Sequence, residues 1–191
     1  MIRDTDAVPL TLPVGERDHI RGTCDAAVTL VEYGDYECAN SGQANTAIKA
    51  IQARLGTRLR FVFRHSPLNQ LHARAQRAAE SAEAAGAQDQ FWEMHETLFA
   101  HQEALDNGFL VEYAHGLGLD TIQFLRDMAQ HTHTARVQED SLSGMDSGVC
   151  RTPAFFINGI RFNPPWDEAS LLAAVEQAAV SPGNDVAPHA P

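Results

Sequence analysis

Apolar and polar positions change period several times along the chain, and each change marks an element. Val28-Thr29-Leu30-Val31-Glu32-Tyr33 is dense in β-branched and aromatic residues and runs into the turn Gly34-Asp35-Tyr36, which predicts a buried strand. Over residues 43–55, Ala44, Ala47, Ile48, Ile51 and Leu55 fall at helical spacing, and Gly56 stops the pattern. Leu59-Arg60-Phe61-Val62-Phe63 then reads as a second strand. The three segments form a β-α-β unit, whose strands run parallel through a right-handed crossover.

From residue 67 to about 147 the pattern becomes helical. An alanine-rich stretch over 72–87 is followed by Phe91, Met94 and Leu98. Leu110, Tyr113, Ala114 and Leu117 suggest another helix, and Ile122, Leu125 and Met128 one more. Strand character returns at Ala154-Phe155-Phe156-Ile157, and Asn158-Gly159 before Ile160-Arg161-Phe162 predicts a two-residue hairpin. A closing helix takes Asp167 as its N-cap and buries Leu171, Leu172 and Val175. The division expected is an irregular N-terminal arm (1–27), an α/β domain (28–66 and 148–180), a helical insertion (67–147) and a disordered tail (181–191). That tail holds three prolines and a glycine. No internal repeat is visible.

Composition narrows the function classes. At 191 residues and 44% hydrophobic content the chain can bury one well-packed core. Fourteen basic against 25 acidic residues give a net charge of −11, which argues against unspecific binding to nucleic acid or anionic membranes. No stretch reaches the roughly 18 consecutive apolar residues of a membrane-spanning helix, so membrane insertion is not expected. Asp4, Asp6, Pro9 and Pro13 interrupt the pattern of a secretory leader, and a cytoplasmic location is the expectation. The odd cysteine count of Cys24, Cys38 and Cys150 fits reduced thiols there rather than a disulfide framework.

Candidate chemistry concentrates at Cys38-Ala39-Asn40-Ser41. Cys38 follows the first strand and opens the first helix, where unpaired backbone N–H groups and the helix dipole favour a thiolate nucleophile. Asp35 and Glu37 push the other way by adding negative charge. In a redox-active Cys-x-x-Cys turn a second sulfur would resolve the mixed disulfide, but Ser41 occupies that place. Its hydroxyl can cap the helix or donate a hydrogen bond to the thiolate, and it cannot close a dithiol cycle. If the Ala154 strand runs antiparallel beside the Val28 strand, Thr152-Pro153 faces Cys38. An X-Pro bond there can be cis and aim the Thr152 backbone at an extended peptide.

These residues resemble the DsbA-like thiol-disulfide oxidoreductases of the thioredoxin superfamily, in which a helical domain is inserted into a thioredoxin fold. The resemblance spans residues 16–178. It is carried by Val31-Glu32-Tyr33-Gly34-Asp35-Tyr36-Glu37-Cys38, Phe63-Arg64-His65, Phe91-Trp92-Glu93-Met94-His95 and Thr152-Pro153-Ala154-Phe155-Phe156-Ile157-Asn158-Gly159. It implies a thioredoxin-like α/β fold with an inserted all-helical domain. Cys38 then corresponds to the redox-active nucleophile, and Pro153 to the cis-proline lining the substrate groove. The chain departs from the family in its CxxS motif, with Ala39 where a proline is usual and Ser41 where a second cysteine is usual. It also reads Cys150-Arg151-Thr152 before the proline, which puts a secondary thiol near the groove. A disulfide needs Cα atoms about 4.4–6.8 Å apart, and Cys150 is expected just beyond that reach. Cys24 precedes the strand and is expected at its opposite end.

The remaining candidates read as structural. His131 and His133 are two apart and are expected on different faces of a helix, so no metal spacing emerges. His65 and His95 are expected to be hydrogen-bonded core residues. No phosphate loop, paired catalytic carboxylates or serine-hydrolase elbow is present. The leading expectation is an oxidoreductase in which Cys38 attacks a disulfide of a protein or small molecule. Thr152 and Pro153 position the partner, no cofactor is bound, and an external thiol such as glutathione resolves the intermediate. Two alternatives stand beside it: a redox-inactive peptide-binding module and a glutathione-transferase-like enzyme.

Overall fold

The structure is a computed structural model describing residues 8–180; the expectation for the tail 181–191 falls outside it, as do Asp4 and Asp6. Five strands form one sheet: β1 (His19–Arg21), β2 (Val28–Gly34), β3 (Leu59–His65), β4 (Ala154–Ile157) and β5 (Ile160–Arg161), in the order β1-β3-β2-β4-β5. β2 and β3 run parallel with Leu30 beside Phe61, joined through α1 (Ala39–Leu55) as the β-α-β pattern predicts. β4 lies antiparallel to β2, with Tyr33 opposite Ala154. Asn158 and Gly159 turn the β4–β5 hairpin with φ of 48° and 78°, the positive pair of a type I′ turn.

The strand period of two sorts the core onto two faces of the sheet. Leu30, Phe61, Phe63 and Phe155 pack with Ile48 and Ile51 of α1 and with Leu171 and Val175 of α7 (Glu168–Val180). Val31, Tyr33, Val62 and Phe156 form a second cluster, closed by Leu10, Val14 and Ile20 of the arm. Leu172, expected in the buried face of α7, is only half-buried.

Between β3 and β4 the chain forms α2 (Ala75–Gly86), α3 (Phe91–Ala100), α4 (Asn107–Gly116), α5 (Thr121–Gln130) and α6 (Thr134–Asp146). The arm is not irregular throughout, because β1 pairs antiparallel with β3 and Pro9 bridges to Ile160. His131 and His133 sit in the turn linking α5 to α6, with His131 at φ 53°, so they do not share a helix.

Candidate active site

The parallel pair β2–β3 ends at one edge of the sheet, and the chain leaves β2 there through Asp35, Tyr36 and Glu37 into α1. Cys38 is the N-cap of α1 in extended conformation (φ −79°, ψ 118°), and its carbonyl already accepts the Gly42 N–H at 3.1 Å. The thiol is 8% exposed, and its Sγ donates to the Thr152 carbonyl at 3.4 Å. The antiparallel pairing of β4 with β2 delivers Thr152 to this point, and the Thr152–Pro153 peptide bond is cis.

Ser41 is fully buried on the first turn of α1, and its Oγ accepts the Asp35 N–H at 3.3 Å. Among the described residues the hydrogen bond made by Cys38 Sγ therefore runs to Thr152 and not to Ser41. Cys150 is an exposed free thiol two residues before Thr152. Cys24 is also free and exposed, ahead of β2, whose seven residues put about 20 Å between its two ends.

The acidic residues flanking Cys38 are both matched by partners from the helical insertion. Asp35, 1% exposed, accepts the Glu37 and Leu68 N–H groups at 2.8 and 2.9 Å and His72 Nδ1–H at 2.7 Å. Glu37 accepts the Arg74 backbone N–H at 2.7 Å and its Nε–H at 2.9 Å. Gln102, between α3 and α4, donates from one Nε2 to the carbonyls of Tyr36 (2.8 Å) and Cys38 (2.9 Å). The sequence pattern gave no hint of His72, Arg74 or Gln102, because their roles depend on folding the insertion back over the loop.

Beneath the loop lies a buried polar layer. Tyr36 bonds His95 Nδ1 at 3.1 Å inside a ring cluster with Phe63 and Phe99; burial pushes the tyrosine pKa up and the histidine pKa well down, so both are neutral. Glu32, in the middle of β2, is 1% exposed, neither carboxyl oxygen has a hydrogen-bond partner among the described residues, and burial pushes its pKa up to about 8. A carboxyl side chain between Val31 and Tyr33 in a buried strand is the signal that points to it.

His19, His65 and Glu83 are the group close enough to share a metal ion among the described residues. There Glu83 Oε1 accepts from both ring Nε2 atoms at 2.9 Å, which supports a hydrogen-bonded role for His65. Burial works to raise the Glu83 pKa, but the two histidines hold it well below the usual carboxylate range.

A groove of about 550 Å³ opens beside Cys38, between Asn40 and Gln43 of α1, Arg151 to Pro153, and Trp166 to Glu168 at the start of α7. Thr152, whose buried Oγ1 has no partner among the described residues, lines it. The arrangement sets one sulfur at a helix start, a backbone carbonyl against it, and a groove of mixed polar and apolar lining alongside.

Comparison with known proteins fits this geometry. Residues 15–177 match the family model described as thioredoxin. The chain is 42% identical over 187 residues to the Na(+)/H(+) antiporter NhaA 1 of Mycobacterium sp. (strain KMS), covering 92% of this chain and 30% of that protein. It thus spans less than a third of that relative's length. Among solved structures, BdbD from Bacillus subtilis in its oxidised form superposes with a TM-score of 0.82 at 24% identity, covering 92% of this chain and all of that one. A thioredoxin-like oxidoreductase from Silicibacter pomeroyi gives 0.76 at 24% identity, over 87% and 95% of the two chains.

Proposed function

Since the chain belongs to the thioredoxin family, we propose that it is a DsbA-like thiol-disulfide oxidoreductase working through the single nucleophile Cys38. The carrying observation is the placement of Cys38 Sγ at the N-cap of α1, 3.4 Å from the Thr152 carbonyl and beside an open groove. The Cys38 thiolate attacks one sulfur of a disulfide, a new S–S bond forms, and the other sulfur leaves as a thiolate with the bonding electrons. With Ser41 in place of a second sulfur, an external thiol attacks the mixed disulfide and returns Cys38 to its reduced form. Glutathione serves as that thiol in a cytoplasmic setting. Sodium–proton exchange, named for relatives of which this chain spans 30%, is not part of the reading.

The test is glutathione-dependent reduction of a mixed-disulfide substrate, with mass spectrometry of the trapped intermediate. Activity is expected to fall to the uncatalysed rate in Cys38→Ser and to persist in Cys24→Ser, with the adduct mapping to Cys38. The complete burial of Ser41 favours a second reading, a redox-inactive peptide-binding module. A folded wild-type protein that forms no Cys38 adduct would establish that reading instead.

A further inference from the structure

We infer that the groove beside Cys38 is a subsite for the glutathione half of a mixed disulfide, so that the substrates are glutathionylated thiols; this rests on Cys38 being the nucleophile. The volume of about 550 Å³ lies within the roughly 300–1,000 Å³ typical of small-molecule sites. Its charges are separated by wall. Arg151, which makes no ion pair among the described residues, stands next to Thr152, while Asp167 and Glu168 stand across the groove at the start of α7. Asp167 already caps that helix through the Ser170 N–H at 2.7 Å, which leaves Glu168 as the freer carboxylate.

A ligand matched to this trough carries carboxylate and ammonium groups a short distance either side of a sulfur, joined by amides. Glutathione has that layout, with its ammonium toward Glu168, a carboxylate toward Arg151, and its amides within reach of Asn40 and Gln43.

The Cys38 thiolate attacks the glutathione sulfur of R–S–S–G. The S–S bond between that sulfur and RS breaks, RS⁻ leaves with the electron pair and takes a proton from water, and Cys38–S–S–G remains. A second glutathione thiolate attacks the glutathione sulfur of that adduct, giving glutathione disulfide and Cys38 thiolate. The net change is RSSG + GSH giving RSH + GSSG.

The test compares glutathione disulfide with the uncharged 2-hydroxyethyl disulfide, reading modification at Cys38 by peptide mass spectrometry. The expected result is faster, saturable modification by glutathione disulfide. The ratio of the two rates should fall about fivefold in Arg151→Ala and in Glu168→Gln, as for loss of one exposed ion pair, and should fall with added salt. Equal rates in the wild type, or ratios unmoved in both variants, would overturn the subsite while leaving Cys38 as the nucleophile. If a folded wild-type protein reacts with neither disulfide at Cys38, the nucleophile reading fails and the subsite with it.

Discussion

Glu32 carries an acid group with no hydrogen-bond partner among the described residues, in the middle of the central strand between Phe63 of β3 and Phe155 of β4. Because burial raises its pKa to about 8 from an ordinary 4.5, the folded chain keeps it protonated where the unfolded chain ionises it. The sign follows from linkage: below the unfolded value both states bind the proton and nothing is lost. Stability then falls as pH rises toward 8, at about 1.4 kcal/mol per pH unit for this one group, to an upper bound of about 5 kcal/mol. Glu32→Gln removes the titration and keeps the shape. Urea unfolding should find the variant's advantage over wild type growing by several kcal/mol between pH 5 and pH 8; an advantage of equal size at both would show that Glu32 is solvated or paired. Around this residue the site was legible where it is local in sequence: Cys38 at a helix start, and Thr152-Pro153 entering a strand. It was not legible where partners arrive from far along the chain, as with His72 on Asp35 and Arg74 on Glu37.

At the scale of elements, the start of α1 is gripped from outside by the helical insertion. Gly42 makes this possible, since a Cβ there would collide with the Gln102 side-chain amide that bonds the Tyr36 and Cys38 carbonyls. Alanine at a helical glycine gains about 1 kcal/mol of helix propensity, so Gly42→Ala should leave the melting temperature near wild type while expelling Gln102. The rate of disulfide exchange at Cys38 is expected to drop about tenfold in Gly42→Ala and in Gln102→Ala, within the range that a misplaced reacting group produces. The double variant should be no worse than either single one, because both remove the same contact; additive losses would refute the grip. Elements whose buried face is apolar were readable from the chain, among them α1, β2, β3, the hairpin and α7. α6 was not resolved as a separate helix because its inward face is Val137, Asp140, Ser143 and Gly144. Asp140 bonds Arg17 and the His65 N–H, Ser143 bonds the Tyr33 hydroxyl, and Gly144 meets the Tyr33 ring. Nor does apolar spacing give burial by itself: on α5 Ile122 is 73% exposed while Phe124 is buried.

Across the whole molecule, the N-terminal arm ties the sheet to the insertion. Arg64 of β3 is wholly buried and forms a two-pronged pair with Asp18, Nε to Oδ1 at 2.8 Å and Nη2 to Oδ2 at 3.0 Å. The same guanidinium donates to the carbonyls of Leu12 and Pro13 and to the Tyr33 hydroxyl, so five arm and sheet acceptors meet one cation. A few residues on, Arg17 reaches Asp140 of α6, His19 reaches Glu83 of α2, and Arg21 reaches Glu96 of α3. Burial works to raise the Asp18 pKa, yet the Arg64 hydrogen bonds hold it below the ordinary carboxylate value. Its stabilisation is therefore present above the unfolded carboxylate pKa and lost as pH falls through the folded value. Asp18→Asn leaves a buried cation without its counter-charge, a change that typically costs about 3–5 kcal/mol. Arg64→Lys should cost a comparable amount although the charge is kept, because an ammonium cannot reproduce the planar fork. Since arm, sheet and insertion share these contacts, far-ultraviolet and near-ultraviolet circular dichroism should report one coincident unfolding transition in the wild type, shifted together in both variants. Two separated transitions, with only one moved by Asp18→Asn, would mean that the insertion stands apart and that the arm does not couple it to the sheet holding Cys38.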